Sequence, residues 1–123
     1  MSQHITLTTD FGQRDPHVAF IKGVLTSQCP DAQIIDLSHE IPRKSALEGA
    51  LFLASAIPHF PKGTVHIACI ATGKTPIAVY IADQYVICPD NGILTFLEEQ
   101  HPVEVTRDLS ASELNMIDEG QSY

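Results

Sequence analysis

The sequence predicts an α/β domain with a mainly parallel sheet and helices on both faces. Short apolar segments rich in β-branched residues alternate with segments that carry helix-starting signals, in the order strand, helix, strand, helix, strand. Connections of this kind are right-handed crossovers, which place parallel strands in one sheet. The length of 123 residues, with 44% hydrophobic and 18% charged residues, fits one globular domain.

The first strand and helix have clear boundary signals. Residues 5–9 are short, apolar and β-branched, which predicts a strand. A helix is expected next, with Asp15 as its cap and Pro16 at its first position. Its predicted apolar face consists of Val18, Ile21 and Leu25.

A second strand is predicted over residues 33–37, and a second helix follows it. Ser45 and Glu48 have the spacing of a capping box, which marks the start of that helix. Its predicted apolar face consists of Leu47, Leu51, Ala54 and Ile57.

The rest of the chain is predicted to contain more strand than helix. A third strand is expected over residues 64–69, followed by a hairpin with strands over residues 77–82 and 85–88. A short helix over residues 92–99 and a last strand over residues 103–106 complete the predicted elements. The hairpin is expected to turn at Asp83 and Gln84.

Ligands of such sheets bind beyond the carboxyl ends of the strands, which directs attention to three segments. Residues 9–12, 38–40 and 70–73 follow the first, second and third predicted strands. We therefore expect these three segments to meet at one edge of the sheet and to contain the functional site.

Charge and cysteine content narrow the classes of partner. The net charge of −8 repels phosphate backbones, so no nucleic-acid partner is expected, whereas a cationic ligand is compatible with it. No apolar run is long enough to cross a membrane, and the N-terminus lacks signal-peptide features, so a cytoplasmic location is expected. The three cysteines and six histidines show no metal-ligand spacing, so no metal site is expected.

The loop after the first strand is the most informative part of the sequence. Asp10 and Asp15 place two carboxylates there, and Gly12 between them allows a tight turn. A carboxylate at a strand end can accept both hydroxyls of a ribose. Two alternatives remain open: Asp15 caps the helix, and Asp10 supports the loop. His39 after the second strand is read as a loop anchor rather than a base.

The sequence does not fit two other hypotheses, a phosphate-binding loop and a phospho-receiver domain. A phosphate-binding loop around Gly73 and Lys74 would need a glycine where Ala68 stands, and a helix where Pro76 and a strand follow. A phospho-receiver domain would need a carboxylate at the end of the third strand, which ends instead in residues 69–72 without one.

Four motifs occur in order along the chain: residues 5–24 around Thr9-Asp10-Phe11-Gly12, residues 36–42 (DLSHEIP), residues 60–66 (FPKGTVH) and residues 89–95 (PDNGILT). In this order they resemble one family, the S-adenosylmethionine hydroxide adenosyltransferases, which are related to adenosyl fluorinases and chlorinases. Together they cover roughly residues 5–108. The resemblance implies that the chain has the N-terminal α/β domain of this family.

The resemblance also implies a reaction and a set of binding residues. The reaction is substitution at the 5′ carbon of S-adenosylmethionine, which is a substrate, with no cofactor. Asp10 is expected to bind the ribose hydroxyls, while Asp15 and His17 are expected near the methionine end. Phe11, Thr72 and Gly73 complete the expected substrate-binding residues, and no catalytic residue is assigned. By resemblance the chain forms a homo-oligomer, specifically a trimer.

The sequence departs from the family at two places. Hydroxide-using members have an Asp-Pro-Gly-Val-Gly segment and then an arginine after the third strand, where this chain has Cys69 to Gly73 and Lys74 to Ile77. The segment Ala71-Thr72-Gly73 looks instead like its halogenase counterpart. Residues 1–109 resemble the N-terminal domain, whereas the family's C-terminal β domain has no counterpart here. Residues 110–123 match no family motif and are expected to be a short helix.

Three functional hypotheses follow from these departures. The chain is a shortened and impaired S-adenosylmethionine hydroxide adenosyltransferase, or a catalytically inert adenosyl-binding or assembly domain of the same family. The third hypothesis is a truncated form of a longer active enzyme.

Overall fold

The computed structural model describes residues 3–109, which form six strands, three α-helices and one 3₁₀ turn. The elements in chain order are β1 (His4–Thr9), α1 (His17–Gln28), β2 (Gln33–Ser38), α2 (Ala46–Ala56), the 3₁₀ turn (Ile57–His59), β3 (Val65–Cys69), β4 (Pro76–Ile81), β5 (Gln84–Pro89), α3 (Thr95–Gln100) and β6 (Val103–Asp108). The helix expected over residues 110–123 lies outside the described residues. Within residues 3–109, no helix is long and apolar enough to cross a membrane.

The six strands form one sheet in the order β2-β1-β3-β5-β4-β6. Parallel pairing joins β1 to β2, β1 to β3 and β3 to β5, whereas β4 is antiparallel to both β5 and β6. The α/β class is confirmed, but the prediction of a mainly parallel sheet is wrong, because the sheet is mixed. The reason is the two-residue turn at Ala82 and Asp83, both at positive φ (54° and 61°), which reverses the chain directly.

Helix α1 begins close to its predicted position. The Oδ1 atom of Asp15 accepts the backbone N–H of His17 at 2.8 Å, so Asp15 serves the helix start as expected, although the helix begins at His17 with Pro16 before it. No residue of α1 is fully buried, and its predicted apolar face is half-buried. Lys22 of α1 pairs with Asp36 of β2, so α1 lies against the β2 side of the sheet.

Helix α2 has the predicted start but a different buried face. The Oγ atom of Ser45 accepts the backbone N–H of Glu48 at 3.2 Å, which confirms that Ser45 caps the helix. Leu47 and Leu51, however, are 62% and 50% exposed, so the predicted face is wrong there. The buried residues are Gly49, Ala50 and Leu53.

The rotation of α2 follows from Gly49. A Cβ atom at this position would lie 2.9 Å from Cδ1 of Ile70 and 3.1 Å from Cδ1 of Ile93. The bare glycine therefore brings the helix axis close to the sheet, and its small residues face the core while two leucines face out.

The main core lies between the sheet, α2 and α3. Its buried residues are Ile41, Ala50, Leu53, Ile57, Ala68, Ile70, Ile77, Val79, Ile81, Val86, Cys88, Ile93, Leu94 and Leu97. This packing holds β3 and β5, whose carboxyl ends lie at the edge of the sheet where the functional site is expected.

Candidate functional site

Asp10 is the centre of the loops at the carboxyl edge of the sheet. It is only 8% exposed, and its Oδ2 atom accepts the backbone N–H of Lys44 at 2.7 Å and that of Ala71 at 3.0 Å. Both donors are non-glycine residues at positive φ, 60° for Lys44 and 50° for Ala71. One carboxylate oxygen thus joins the loops that follow β1, β2 and β3.

The two carboxylate oxygens of Asp10 differ in their partners within the described residues. Among residues 3–109 no group donates a hydrogen bond to Oδ1, while both intramolecular bonds go to Oδ2. An ionised carboxylate accepts several hydrogen bonds, so Asp10 can support the loop and receive a hydroxyl at the same time. The two readings left open by the sequence are therefore compatible with each other.

Phe11, Asp15 and His17 form a cluster beside Asp10. The rings of Phe11 and His17 are 5.3 Å apart between centroids, and Nδ1 of His17 contacts Oδ1 of Asp15. The backbone N–H of His17, followed by its ring, holds the pKa of the Asp15 carboxyl below its ordinary value. The structure thus brings together three of the residues expected to bind substrate and keeps Asp15 anionic.

The segment 38–40 joins this edge through His39, which is 2% exposed. Its Nδ1 atom is 2.8 Å from Oγ1 of Thr9, and its Nε2 atom is 2.8 Å from Oδ1 of Asp36. Its carbonyl oxygen accepts the backbone N–H of Gly12 at 2.8 Å. Both ring nitrogens are engaged inside the protein, which agrees with the reading of His39 as a loop anchor.

Thr72 and Gly73 lie in the exposed loop after β3. They connect to Asp10 through the neighbouring residue Ala71, whose N–H the carboxylate holds. The three predicted segments therefore meet at one edge.

The sequence did not single out Asn91, which fixes the same loop. Its Nδ2 atom donates to the carbonyl oxygens of Ile70 and Ala71, both at 3.1 Å, and its Oδ1 atom accepts the N–H of Ile93 at 3.2 Å. A signal was present, because Asn91 lies two residues after Pro89, the last residue of β5. Recognising β5 as parallel to β3 would have added its carboxyl end to the segments considered.

An apolar cleft of about 260 Å³ opens beside this loop. Its walls include Ile67 and Cys69 from β3 and Ile87 from β5, with Thr72 and Lys74 contributed by the loop. Burial, and then the negative charge of Asp10, raise the pKa of the Cys69 thiol. Cys69 is therefore held as a neutral thiol and does not replace a carboxylate base.

Within residues 3–109, the possible metal ligands form no centre and the thiols are free. Among the described residues, no group of three or more His, Cys, Asp or Glu side chains is arranged to hold a metal ion. Cys29, Cys69 and Cys88 are free, and burial raises the pKa of Cys88 to about 12.

Comparison with known proteins gives a consistent set of matches. The family model described as the SAM hydroxide adenosyltransferase N-terminal domain matches residues 5–122. An (R)-S-adenosyl-L-methionine hydrolase from Methanocaldococcus jannaschii is 40% identical over 105 residues, which cover 78% of this chain and 40% of that protein. A fluorinase from Actinopolyspora mzabensis is 26% identical over 137 residues, covering 89% of this chain and 46% of the fluorinase.

A solved structure has a similar fold. The crystal structure of an uncharacterised conserved protein from Thermotoga maritima superposes with a TM-score of 0.83 at 31% identity, covering 89% of this chain and 45% of that one. In each of these comparisons the chain spans less than half the length of its relative.

Proposed function

This chain belongs to the S-adenosylmethionine hydroxide adenosyltransferase family, as its motifs predicted, and from that premise we propose that it binds the adenosyl group of S-adenosylmethionine. The observation that carries the proposal is the Oδ1 atom of Asp10, which accepts no hydrogen bond from the described part of the chain. It lies at the carboxyl edge of the parallel strands β1 and β3, which is where sheets of this class bind ligands.

In this proposal Asp10 accepts the ribose hydroxyls through Oδ1 while Oδ2 keeps the loops in place. Asp15, anionic beside His17, lies toward the methionine end, where the substrate carries an ammonium group and a sulfonium. Phe11 borders the ligand next to them, and Thr72 and Gly73 border it from the loop after β3. The net charge of −8 favours the approach of a cationic substrate.

The proposed reaction is the hydrolysis of S-adenosylmethionine to adenosine and methionine. The bond between sulfur and the 5′ carbon breaks with its electron pair leaving on sulfur, water forms the new bond to carbon, and one proton is released. Holding the ribose rigidly aligns the carbon with its nucleophile and contributes much of the rate.

Turnover by this chain alone is proposed to be weak. Residues 69–76 supply neither a carboxylate nor an arginine, and the raised pKa of Cys69 keeps its thiol from acting as a base. The same observation favours a second candidate function, a catalytically inert adenosyl-binding or assembly domain. We further propose a homo-oligomer, a trimer by family resemblance, without a cofactor or nucleic-acid partner, acting in the cytoplasm.

A charge-matched pair of variants tests the binding proposal. Asp10→Asn keeps one oxygen to accept the Lys44 and Ala71 amides but replaces the other with an amide nitrogen, so ribose binding should weaken by roughly ten-fold to a hundred-fold. Asp31→Asn removes the same charge from the exposed turn before β2, at the other edge of the sheet, and should bind adenosine like the wild type. Calorimetry with adenosine measures both, and equal affinities of the two variants would disprove the role of Asp10.

Chromatography separates the two candidate functions. Purified chain is incubated with S-adenosylmethionine, with and without chloride, and the products are compared with those of Asp10→Asn. Adenosine or chloro-adenosine that disappears in the variant supports the enzyme, whereas adenosine binding without product supports the inert domain.

A further inference from the structure

Two buried histidines bind threonine hydroxyls of β1, one on each side of the strand. Nδ1 of His66 is 2.7 Å from Oγ1 of Thr6, and Nδ1 of His39 is 2.8 Å from Oγ1 of Thr9. The histidines are 1% and 2% exposed. The Thr6–His66 and Thr9–His39 pairs have the same chemistry and similar burial, but their histidines bond to different parts of the fold.

His66 connects the strand to the core only. Its Nε2 atom is 2.6 Å from Oε1 of Gln84, and Nε2 of Gln84 donates to the carbonyl oxygen of Ile57 at 3.0 Å. Neither partner belongs to the loops around Asp10. The His66 pair therefore links the sheet to the 3₁₀ turn after α2 through hydrogen bonds.

His39 instead holds the Asp10 loop at two points. Oγ1 of Thr9 accepts the backbone N–H of Phe11 at 3.3 Å, so the His39 ring reaches the residue after Asp10 through Thr9. The carbonyl oxygen of His39 accepts the N–H of Gly12, which has a positive φ of 80°. Both amides follow Asp10 directly in the chain, so the two bonds hold the backbone that carries the Asp10 side chain.

The bond between Nε2 of His39 and Asp36 determines which ring nitrogen of His39 donates and which accepts. Asp36 accepts from Nε2 of His39 with one oxygen and from Nζ of Lys22 with the other. Burial opposes ionisation of Asp36, but the bonds from Lys22 and His39 outweigh it and lower the pKa of this carboxyl. A carboxylate can only accept, so Nε2 carries a proton; in the neutral ring Nδ1 then accepts from the Thr9 hydroxyl.

We infer that His39 is a positioning residue for ligand binding: anchored by Asp36, it orients the Asp10 carboxylate through Thr9 and through the Gly12 amide. This inference rests on the proposed adenosyl-binding function of Asp10. His39 itself does not touch the ligand. Its ring is enclosed, and its effect reaches the site through the hydrogen-bonded loop.

The two histidine–threonine pairs supply a matched test. Thr9→Val and Thr6→Val each remove one buried hydroxyl from β1 and one bond to a histidine, so both should lower the urea midpoint of unfolding by comparable amounts. Only Thr9→Val releases the Phe11 amide, so adenosine affinity should fall roughly ten-fold in Thr9→Val and stay within about two-fold of wild type in Thr6→Val. Thr9→Ser restores the hydroxyl and should recover most of the affinity.

Amide hydrogen exchange measures the positioning without any ligand. Exchange at Phe11 and Gly12 should be accelerated at least about ten-fold in Thr9→Val and unchanged in Thr6→Val, since exchange follows local opening of the bonded loop. Histidine ¹⁵N spectra of the wild type should show Nε2 of His39 protonated and Nδ1 unprotonated, a readout that needs no variant to fold.

The outcomes separate this inference from the proposed function. If wild-type protein binds neither adenosine nor S-adenosylmethionine, the proposed function fails, and the exchange rates alone decide the positioning role. Equal adenosine affinity in the two valine variants, or equal exchange at Phe11 and Gly12, overturns the inference. A proton on Nδ1 of His39 with none on Nε2 overturns the direction of the bonds on which it depends.

Discussion

Asp10 and Ala71 are 61 residues apart in the chain, yet Oδ2 of Asp10 accepts the backbone N–H of Ala71 at 3.0 Å. Ala71 adopts a φ of 50°, a left-handed conformation that costs an L-amino acid roughly 1–2 kcal/mol. The loop after β3 is therefore held in an unfavourable conformation by a residue of the loop after β1. Such strain persists when the surrounding bonds determine the conformation, here those from Asp10 and Asn91.

Ala71→Gly should raise the free energy of unfolding by about 0.5–1 kcal/mol, because glycine removes the left-handed strain at some cost in chain entropy. Ala54→Gly, in the last turn of α2, is the matched control and should lower it by up to about 1 kcal/mol. Urea unfolding monitored by circular dichroism measures both. An equal loss of stability in the two variants would contradict the left-handed conformation at Ala71.

Ser45→Ala should lower the free energy of unfolding by about 1 kcal/mol, since the Glu48 amide at the start of α2 loses its acceptor. Ser55 lies in the same helix and donates to the carbonyl oxygen of Leu51, one turn earlier. That carbonyl already belongs to the helix, so Ser55→Ala should change stability by less than about 0.5 kcal/mol. Thermal unfolding compares the two, and an equal effect would rule out the cap.

The stability of the protein should fall on acidification below pH 6.5 through His66. Burial, only partly offset by the bond to Gln84, lowers the pKa of His66 in the folded state below the ordinary value of 6.5. The unfolded chain therefore takes up a proton first. The stabilisation is complete above pH 6.5 and is lost as pH falls from there toward the folded-state pKa, by at most about 1.4 kcal/mol per pH unit.

Urea unfolding at a series of pH values between 7.5 and 5 tests this contribution. His66→Gln should have a shallower pH dependence over that range than the wild type, whatever its overall stability. An NMR titration of the His66 ring gives the folded-state pKa directly. A midpoint above 6.5 would reverse the predicted sign.

The three thiols should react at very different rates. Cys29 is exposed, whereas burial raises the pKa of Cys69 and raises that of Cys88 to about 12. With a disulfide reagent at pH 8, native protein should show one fast thiol, and denatured protein should show all three. Cys29→Ser should abolish the fast phase; a fast phase that remains would reveal a reactive Cys69.

Local signals predicted most of the elements. The cap at Ser45 and the strand over residues 33–37 follow from rules that act within a few residues. The meeting of three loops at one edge follows from the direction of parallel strands joined by helices. The buried face of α2 was mispredicted because the prediction assumed that the most hydrophobic residues, Leu47 and Leu51, face the core. The fold instead places the smallest residue, Gly49, against Ile70.

The contacts of the site were less predictable than its location. Residue type and strand order directed attention to Asp10, but they do not show which of its oxygens the protein uses. Lys44 and Ala71 donate through backbone N–H groups, which every residue except proline has, so their side chains do not reveal these bonds. The bond from Asn91 to the same loop depends on β5 lying beside β3, a long-range pairing that no local pattern encodes.

Strand direction has a consequence for protein engineering. Because β4 reverses the chain, β6 runs parallel to β1, β3 and β5 and ends at their edge, where the N–H of Leu109 bonds to the carbonyl oxygen of Pro76 in the wall of the cleft. A domain fused directly after Leu109 is tethered at the same end of the sheet as Asp10, four strands away in the sheet order. A short flexible tether holds its cargo at millimolar effective concentration. The start of β1 lies at the far edge, so the two ends of the fold are not equivalent as attachment points.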